Sequence, residues 1–414
     1  MILIVFYVSR LRIVDVSLQV DVLIVNKIIL IMTNEERRER RYQRRKQKRQ
    51  QKRYEQLKSI GTLEEVFTYH DMFKYGLDCC KGVRWKQSVQ NFELHLFSRT
   101  ARNKHNVLNG YHSRPLYSFT INERGKTRPI EAPHIDDRQV QKTLTKKVLL
   151  PLYLPSMIYD NGASLKNKGL QFSQKQFDKQ LRKHYNKYGM NGSIIIADCS
   201  NFFPNADRDY IKSRHKCLLD KRLMCLLDKI TDIGKGDIGV PLGIETAQIE
   251  MISLPSALDN YMACQIGVSI GHYMDDYHIL VPPHRNTNEI AELFIKEASK
   301  YGLTFKPEKV KIFPFGKPFK FCKAKRIWIT KNKIIKRGCP GSIKRTRHKI
   351  HSFQYSSSMT YEDIYQSLNA SLSYLLNYNN YKAYLRLARL FYSLYGYEVL
   401  DLNKARELDG LYNT

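Results

Sequence analysis

The period of apolar and polar residues changes several times along the chain, and each change marks an element. From Glu35 to Lys58 the segment EERRERRYQRRKQKRQQKRYEQLK has no apolar stripe, no proline and no glycine, and is built of strong helix formers. It reads as a solvated helix or a basic arm. Between Leu63 and Asn109 apolar residues recur at helical spacing (Val66, Phe67, Met72, Phe73, Leu77, then Val89, Phe92, Leu96), which predicts two or three helices. The stretch LYSFTINERGKTRPIEAP has strand residues on both sides of Asn122 to Lys126, and Arg124-Gly125 reads as its hairpin turn. Helical periodicity returns from Asp137 to Leu152 and from Phe172 to Tyr188. GSIIIADCSNFFPN is a short β-branched run that ends on an acid. After a helical region and GVPLGIETAQIEMISLPSALDNYMA, a second strand pair is read in VSIGHYMDDYHILVPP. From Ile343 onward basic helical segments alternate with Tyr- and Leu-rich ones, as in a small helical domain.

Composition narrows the class. A chain of 414 residues with 43% apolar and 11% aromatic content can bury a substantial core and is no small binding module. The formal net charge of +30 makes a polyanion the leading partner, because phosphates release counterions when lysine and arginine bind them. An anionic membrane surface is the rival reading. The excess of cations in the Glu35–Lys58 segment favours phosphate contact there, against a merely solvated face. Eight cysteines (Cys79, Cys80, Cys199, Cys217, Cys225, Cys264, Cys322, Cys339) form no C-x-x-C pair, which predicts reduced thiols in a cytoplasmic protein. The opening MILIVFYV is followed by Arg10, Arg12, Asp15, Asp21 and Lys27, too soon for a bilayer span of roughly 20 apolar residues. No basic stretch precedes it as in a signal peptide. An extended or mis-assigned start is expected, with Met32 as the beginning, and no membrane partner.

The acids carry the chemistry. IIIAD ends an expected buried strand on Asp198, and YMDD places Asp275 and Asp276 between the apolar segments HYM and YHILV. Desolvating an unpaired carboxylate is expensive, so acids at such positions ask for a cation. A solvated hairpin turn is the other reading of any Asp-Asp pair, and the flanking apolar residues argue against it. Nucleotidyl transfer uses such a set: two Mg²⁺ ions about 4 Å apart, held by carboxylate oxygens, stabilise the attacking and leaving oxygens.

Tyr273-Met274-Asp275-Asp276 resembles the Y-x-D-D box of reverse transcriptases, and Asp198-Cys199-Ser200-Asn201-Phe202-Phe203 resembles the family's first acidic motif, D-x-x-x-F-F. Pro241-Leu242-Gly243-Ile244-Glu245-Thr246-Ala247-Gln248 is similar to the P-x-G-x-x-x-[SA]-Q motif of the bacterial branch. Gly302-Leu303-Thr304-Phe305-Lys306-Pro307-Glu308-Lys309 resembles the G-L-x-x-N-x-x-K segment, with Lys306 where Asn is usual. Gly125-Lys126-Thr127-Arg128-Pro129-Ile130 and Asp137-Arg138-Gln139-Val140-Gln141 match the fingers motifs. The six motifs stand in the family's order, a far more specific signal than any one alone.

The resemblance implies an α+β right-hand polymerase fold: an N-terminal extension and basic arm (1–60), fingers and palm (61–330) with the acids on an antiparallel sheet, and a helical thumb (331–414). It implies an RNA-directed DNA polymerase acting on an RNA template, nascent DNA and dNTPs, in a bacterial or prophage retroelement or an antiviral defence system. A dedicated noncoding or template RNA is a further candidate partner. Asp198 and Asp275 would bridge two Mg²⁺ ions, with Asp276 assisting and Cys199 offering its backbone carbonyl. Lys309 would protonate the leaving pyrophosphate or stabilise its charge. Lys126, Arg128 and Arg138 are candidates for the triphosphate, with ordinary surface charge as the alternative for each. Gln248 would position the nucleotide or template, unless it is a satisfied helix glutamine. Phe203 would exclude a 2′-hydroxyl, and Phe202 would pack in the core because adjacent strand residues face opposite sides. Leu242 stands where many members carry Gln, a position the family links to nucleotide selection. A template-independent or self-primed polymerase, and a non-catalytic nucleic-acid scaffold, are the competing readings. The intact acid set speaks against the second.

Overall fold

Thr33 opens the first helix. Its hydroxyl accepts the N–H of Glu36 at 3.2 Å while Glu36 Oε2 accepts the N–H of Thr33 at 2.7 Å, a capping box that starts the helix Asn34–Ile60. The computed structural model describes residues 33–396 except 124–125, 235, 331–332, 339, 357–358, 377 and 379. The expected extended start over residues 1–31 and the Arg124-Gly125 turn lie outside the described residues.

This basic helix is docked, not free. Leu57 and Ile60 are buried, Arg45 donates to Cys264 Sγ at 3.1 Å, and Arg53 donates to Cys217 Sγ at 3.2 Å. Tyr42 meets Tyr261 edge-on at 6.4 Å. Arg41, Arg44, Lys46, Lys48 and Lys52 remain exposed. Over 63–108 the chain forms four helices (Leu63–Val66, Tyr69–Cys80, Gln87–Leu94, Leu96–Leu108) where periodicity predicted two or three. The local reason is capping. Thr62 with Glu65 makes a second capping box, and Thr68 accepts the N–H of Asp71, so a new helix starts within one apolar run.

Two compact units divide the chain. The first comprises the described residues up to Ser164, with Ser200–Ile270 and Leu293–Thr304; the second comprises Leu165–Cys199, Gly271–Glu292 and the described residues from Phe305 onward. In the first unit β1 (Tyr117–Glu123) and β2 (Lys126–Ala132) pair antiparallel from Tyr117↔Ala132 to Glu123↔Lys126. A helix follows at Ile135–Leu144 and runs on through a π-helical turn at Thr145–Leu149 into Leu150–Tyr153. Pro151 has no N–H to return to the preceding turn, and the wide turn lies just ahead of it.

The second unit holds the acids. The acid-bearing sheet is four-stranded with the order β4-β5-β3-β6, where β3 is Ser193–Asp198, β4 Ser269–Tyr273, β5 Asp276–Val281 and β6 Val310–Pro314. β3 is central and antiparallel to both β5 and β6. A three-stranded sheet, β7 (Phe319–Phe321), β8 (Ala324–Thr330) and β9 (Lys333–Gly338), shares a core with it and with the helix Leu170–Tyr188: Phe177, Leu181, Ile194, Leu280, Phe319 and Phe321. Helices Pro340–Ser352, Tyr361–Leu376 and Tyr381–Tyr395 close on a separate core that includes Ile350, Leu368, Leu372, Leu375 and Phe391. Tyr384 lies in that core too, as the sequence expects of the Tyr-rich tail. Among the described residues no helix is long and apolar enough to cross a membrane, and the described cysteines carry no disulfide.

Candidate active site

β3 is a buried run because Ile194, Ile195 and Ala197 leave no surface exposed, and β5 is buried from Tyr277 to Val281. Their register sets Asp198 opposite Asp276 at the shared end of the two strands. A carboxylate there has a rigid support on both sides. β4 and β5 are joined by a two-residue turn, Met274-Asp275, with Met274 at φ 55°. A non-glycine residue in that region costs about 1 kcal/mol and persists only where surrounding structure holds it. The N–H of Cys199 donates to the Asp275 carbonyl at 2.9 Å, tying the turn to the end of β3. Asp275 thus lies in a tight turn and Asp276 opens the strand. Both are half-buried, not solvated.

The electrostatics are unbalanced. Burial, with the charges of Asp275 and Asp198 added to it, pushes the Asp276 carboxyl up to about 7. Lys309, at the end of a 3₁₀ turn (Pro307–Lys309), donates to Asp198 Oδ2 at 2.8 Å, and this bond holds its ammonium above the usual lysine value. Cys322 donates its thiol to Asp276 Oδ2 at 3.7 Å; burial and the Asp276 charge push that thiol up, so it is a proton donor. Among the described residues no three His, Cys, Asp or Glu side chains converge as a ready-made metal cluster. Asp198 engages Lys309 and Asp276 engages Cys322. The set still fits a divalent cation in its chemistry, since three hard-oxygen donors share one strand end and their mutual repulsion is what such an ion relieves. The Cys199 side chain is buried. Beside Asp198 opens a cavity of about 460 Å³ whose lining includes Lys309, Lys311, Phe319, Lys320 and Lys325.

The remaining site residues named by the sequence belong to the first unit. Phe202 and Phe203 lie in the turn after β3, not on the strand, so strand alternation does not separate them. The turn does: Phe202 is buried, Phe203 is half-buried, and the rings meet edge-on at 5.6 Å. The Phe203 carbonyl accepts the N–H of Val240 at 3.0 Å, and the Leu242 carbonyl accepts the N–H of Glu131 in β2 at 3.0 Å. The Val240–Gly243 segment is thereby pinned between the turn and the hairpin. Gly243, at φ 120°, could not carry a Cβ, which would lie 2.6 Å from the Glu131 carbonyl oxygen. Gln248 is half-buried on the helix Glu245–Ser253, and Arg138 is half-buried on Ile135–Leu144. A Lys142–Glu245 ion pair at 2.9 Å joins those two helices. Arg128 is exposed on β2 opposite Ile121; the Lys126 side chain lies outside the described residues.

Residues 118–336, more than half of the chain, match the family described as reverse transcriptase (RNA-dependent DNA polymerase). The chain belongs to the reverse transcriptase family. Its activity is RNA-directed DNA polymerisation, a nucleotidyl transfer on a palm-type fold, with an RNA template and dNTPs as substrates. Reverse transcriptase domains generally use divalent metal ions, typically Mg²⁺. No curated protein matches the chain.

The sequence places Asp137 and Gln139 in a fingers motif but misses what each holds in place. Gln139 donates to the Met72 carbonyl and to Thr100, both at 2.8 Å, and accepts from Asn103 at 2.7 Å. Asp137 accepts from the Tyr111 hydroxyl at 2.7 Å. Both flank Arg138 and fix the helix that carries it. Asp in a helix's first turn, favourable to the helix dipole, was the signal available for Asp137. Nothing local marks Gln139 as a hub, because its partners lie 36 to 67 residues away in sequence.

Proposed function

We propose that this reverse transcriptase copies RNA into DNA at a two-metal centre on Asp198, Asp275 and Asp276, within a right-hand arrangement of fingers and palm (61–330) and helical thumb (331–414). The observation that carries the reading is the Asp198–Asp276 register at the end of a buried sheet, with Asp275 in the adjoining turn. Two Mg²⁺ ions held there, with the Cys199 carbonyl alongside, would supply charge neutralisation at the attacking 3′-oxygen and the leaving pyrophosphate. The chain's own residues do the rest. The hydrogen bond to Asp198 keeps Lys309 an ammonium, placed to stabilise the charge of the departing pyrophosphate or, once that bond is released, to donate a proton to it. Arg138, Arg128 and Lys126 bind the triphosphate, and Gln248 positions the nascent pair. The bacterial form of the Pro241–Gln248 motif supports a retroelement or phage-defence setting in a bacterial cytoplasm. The direct test is Mg²⁺-dependent extension of a DNA primer on an RNA template, which Asp198→Asn should abolish in a folded protein. Undiminished extension by that variant would remove the centre.

Phe203 is assigned the steric gate against ribonucleotides. Phe203 is half-buried, whereas Phe202 is packed. Phe203→Ala should raise ribonucleotide incorporation relative to deoxynucleotide by an order of magnitude or more, about 1.4 kcal/mol per tenfold. Phe202→Ala should instead cost about 3–5 kcal/mol of stability. Single-nucleotide kinetics with paired ribo and deoxy substrates, beside denaturant melts, separate the two roles. Unchanged discrimination in Phe203→Ala would take that residue out of the site.

The outward cations of the Asn34–Ile60 helix are assigned to RNA phosphates. Replacing Arg41, Arg44, Lys48 and Lys52 by Gln leaves Leu57, Ile60, Arg45 and Arg53 in their docked places. The log–log salt dependence of RNA binding should then fall in magnitude by roughly 0.7–0.9 for each phosphate that the helix no longer neutralises. A slope equal to that of the parent protein would assign the helix another partner.

A further inference from the structure

β7 and β8 are joined by two residues, Cys322 and Lys323, at φ 46° and 68°. Two consecutive positive φ values define a hairpin turn that ordinarily takes Asn-Gly, since side chains with a Cβ are strained there. A cysteine in the first position is locally unfavourable, so something beyond the turn must hold it. Cys322 is 4% exposed and points its thiol at Asp276 Oδ2, 3.7 Å away. Its carbonyl accepts from Gln174 Nε2 at 3.0 Å, and the same nitrogen donates to the Tyr378 hydroxyl oxygen at 2.6 Å. Gln174 is 4% exposed and Tyr378 3%. Gln174 belongs to the helix Leu170–Tyr188, and Tyr378 to the connection between the last two C-terminal helices.

These contacts form one buried line from the C-terminal helices to a catalytic carboxylate: Tyr378, Gln174, the Cys322 backbone, the Cys322 thiol, Asp276. We propose that Cys322 is a positioning residue for Asp276, and that Gln174 and Tyr378 hold its turn in place, so that the C-terminal helical segment helps set the orientation of the catalytic centre. One oxygen of Asp276 is fixed by the thiol and the carboxylate is held in one rotamer. A buried hydrogen bond to a charged group is the stronger kind, although a thiol is a weak donor. The turn is strained for cysteine and would suit glycine, so the residue gains nothing locally from being there.

The inference rests on reading Asp276 as part of the polymerase centre, and Asp276→Ala is therefore tested alongside. Cys322→Gly relaxes the positive φ while removing the donor, which separates stability from function. Its metal-free thermal midpoint should equal or exceed that of the parent. Its kcat should fall about tenfold with the KM for dNTP within about twofold, and Tb³⁺ luminescence should show weaker metal binding. Cys322→Ser should recover most of both losses. Tyr378→Phe should lower kcat about threefold and speed amide hydrogen exchange over 319–326 in the metal-free protein. Parental kcat and Tb³⁺ binding in Cys322→Gly would overturn the proposal. If that variant melts well below the parent, Cys322→Ala and Cys322→Ser decide instead, and equal kcat between them overturns it. An active Asp276→Ala would show that the underlying reading of the centre fails; an inactive one beside a fully active Cys322→Gly would show that only the positioning role fails.

Discussion

Replacing Asp275 and Asp276 together by alanine is expected to reduce nucleotide incorporation at least about 10⁴-fold, a loss of about 5.5 kcal/mol of transition-state stabilisation. The protein should stay folded. Asp275 contributes to the fold through its backbone, whose carbonyl accepts the Cys199 N–H, and alanine keeps that bond. Asp276 is a burden to the metal-free fold: burial and its two acidic neighbours push its carboxyl up to about 7, against the hydrogen bond from one thiol. Removing both acids therefore relieves repulsion, and the metal-free thermal midpoint should be unchanged or higher. Single-turnover incorporation and a melt on the same preparation check both halves. Activity within tenfold of the parent would contradict the assignment, and so would a loss of activity that merely follows unfolding.

Asp178→Ala is expected to cost about 3–5 kcal/mol of stability, because it orphans a buried cation. Arg326 is 0% exposed at the centre of the β7–β8–β9 sheet. Its Nε donates to Asp178 Oδ1 at 2.8 Å, and its guanidinium lies 4.7 Å from the Phe177 ring centroid. Asp178 also holds Lys336 Nζ at 3.0 Å. The other two guanidinium nitrogens have no hydrogen-bond partner among the described residues, so Asp178 is the main counter-charge for a group that cannot shed its proton. Arg326→Met fills a similar volume without the charge and should cost less than Asp178→Ala, since the Lys336 pair remains for Asp178. Denaturant unfolding of the three proteins measures the difference. A loss under about 1 kcal/mol for Asp178→Ala would mean that the guanidinium finds water.

What the sequence makes legible here is local and periodic. The β-branched run IIIAD and the apolar flanks of YMDD expose Asp198, Asp275 and Asp276 because a buried strand end leaves few explanations for an acid. The helix over 34–60 is legible from its composition, whereas its docking is not: a cation that reaches Cys264 or Cys217 looks, in sequence, like any of the 69 lysines and arginines. The same holds for Arg326, whose counter-charge Asp178 lies 148 residues away in sequence. Phe202 and Phe203 show a subtler limit. Phe202 is buried, as a core residue should be, but a turn after β3 separates it from Phe203, and a strand period cannot describe a turn. Gly243 is marked by the motif, yet its reason, the close approach of the Glu131 carbonyl, appears only once β2 is in place. Cys322 and Gln174 carry no signal at all, since their partners are 46 and 204 residues distant in sequence.

If the Asp198–Asp275–Asp276 centre copies RNA, the RNA template dictates the sequence of the product. Primer extension on an RNA of mixed, defined sequence, with each of the four dNTPs withheld in turn, tests it most directly. Synthesis is expected to require divalent metal, to stop one position before the first template base complementary to the missing nucleotide, and to be absent in the Asp275→Ala, Asp276→Ala protein. Products whose length and sequence ignore the template, or that persist in the double variant, would contradict it.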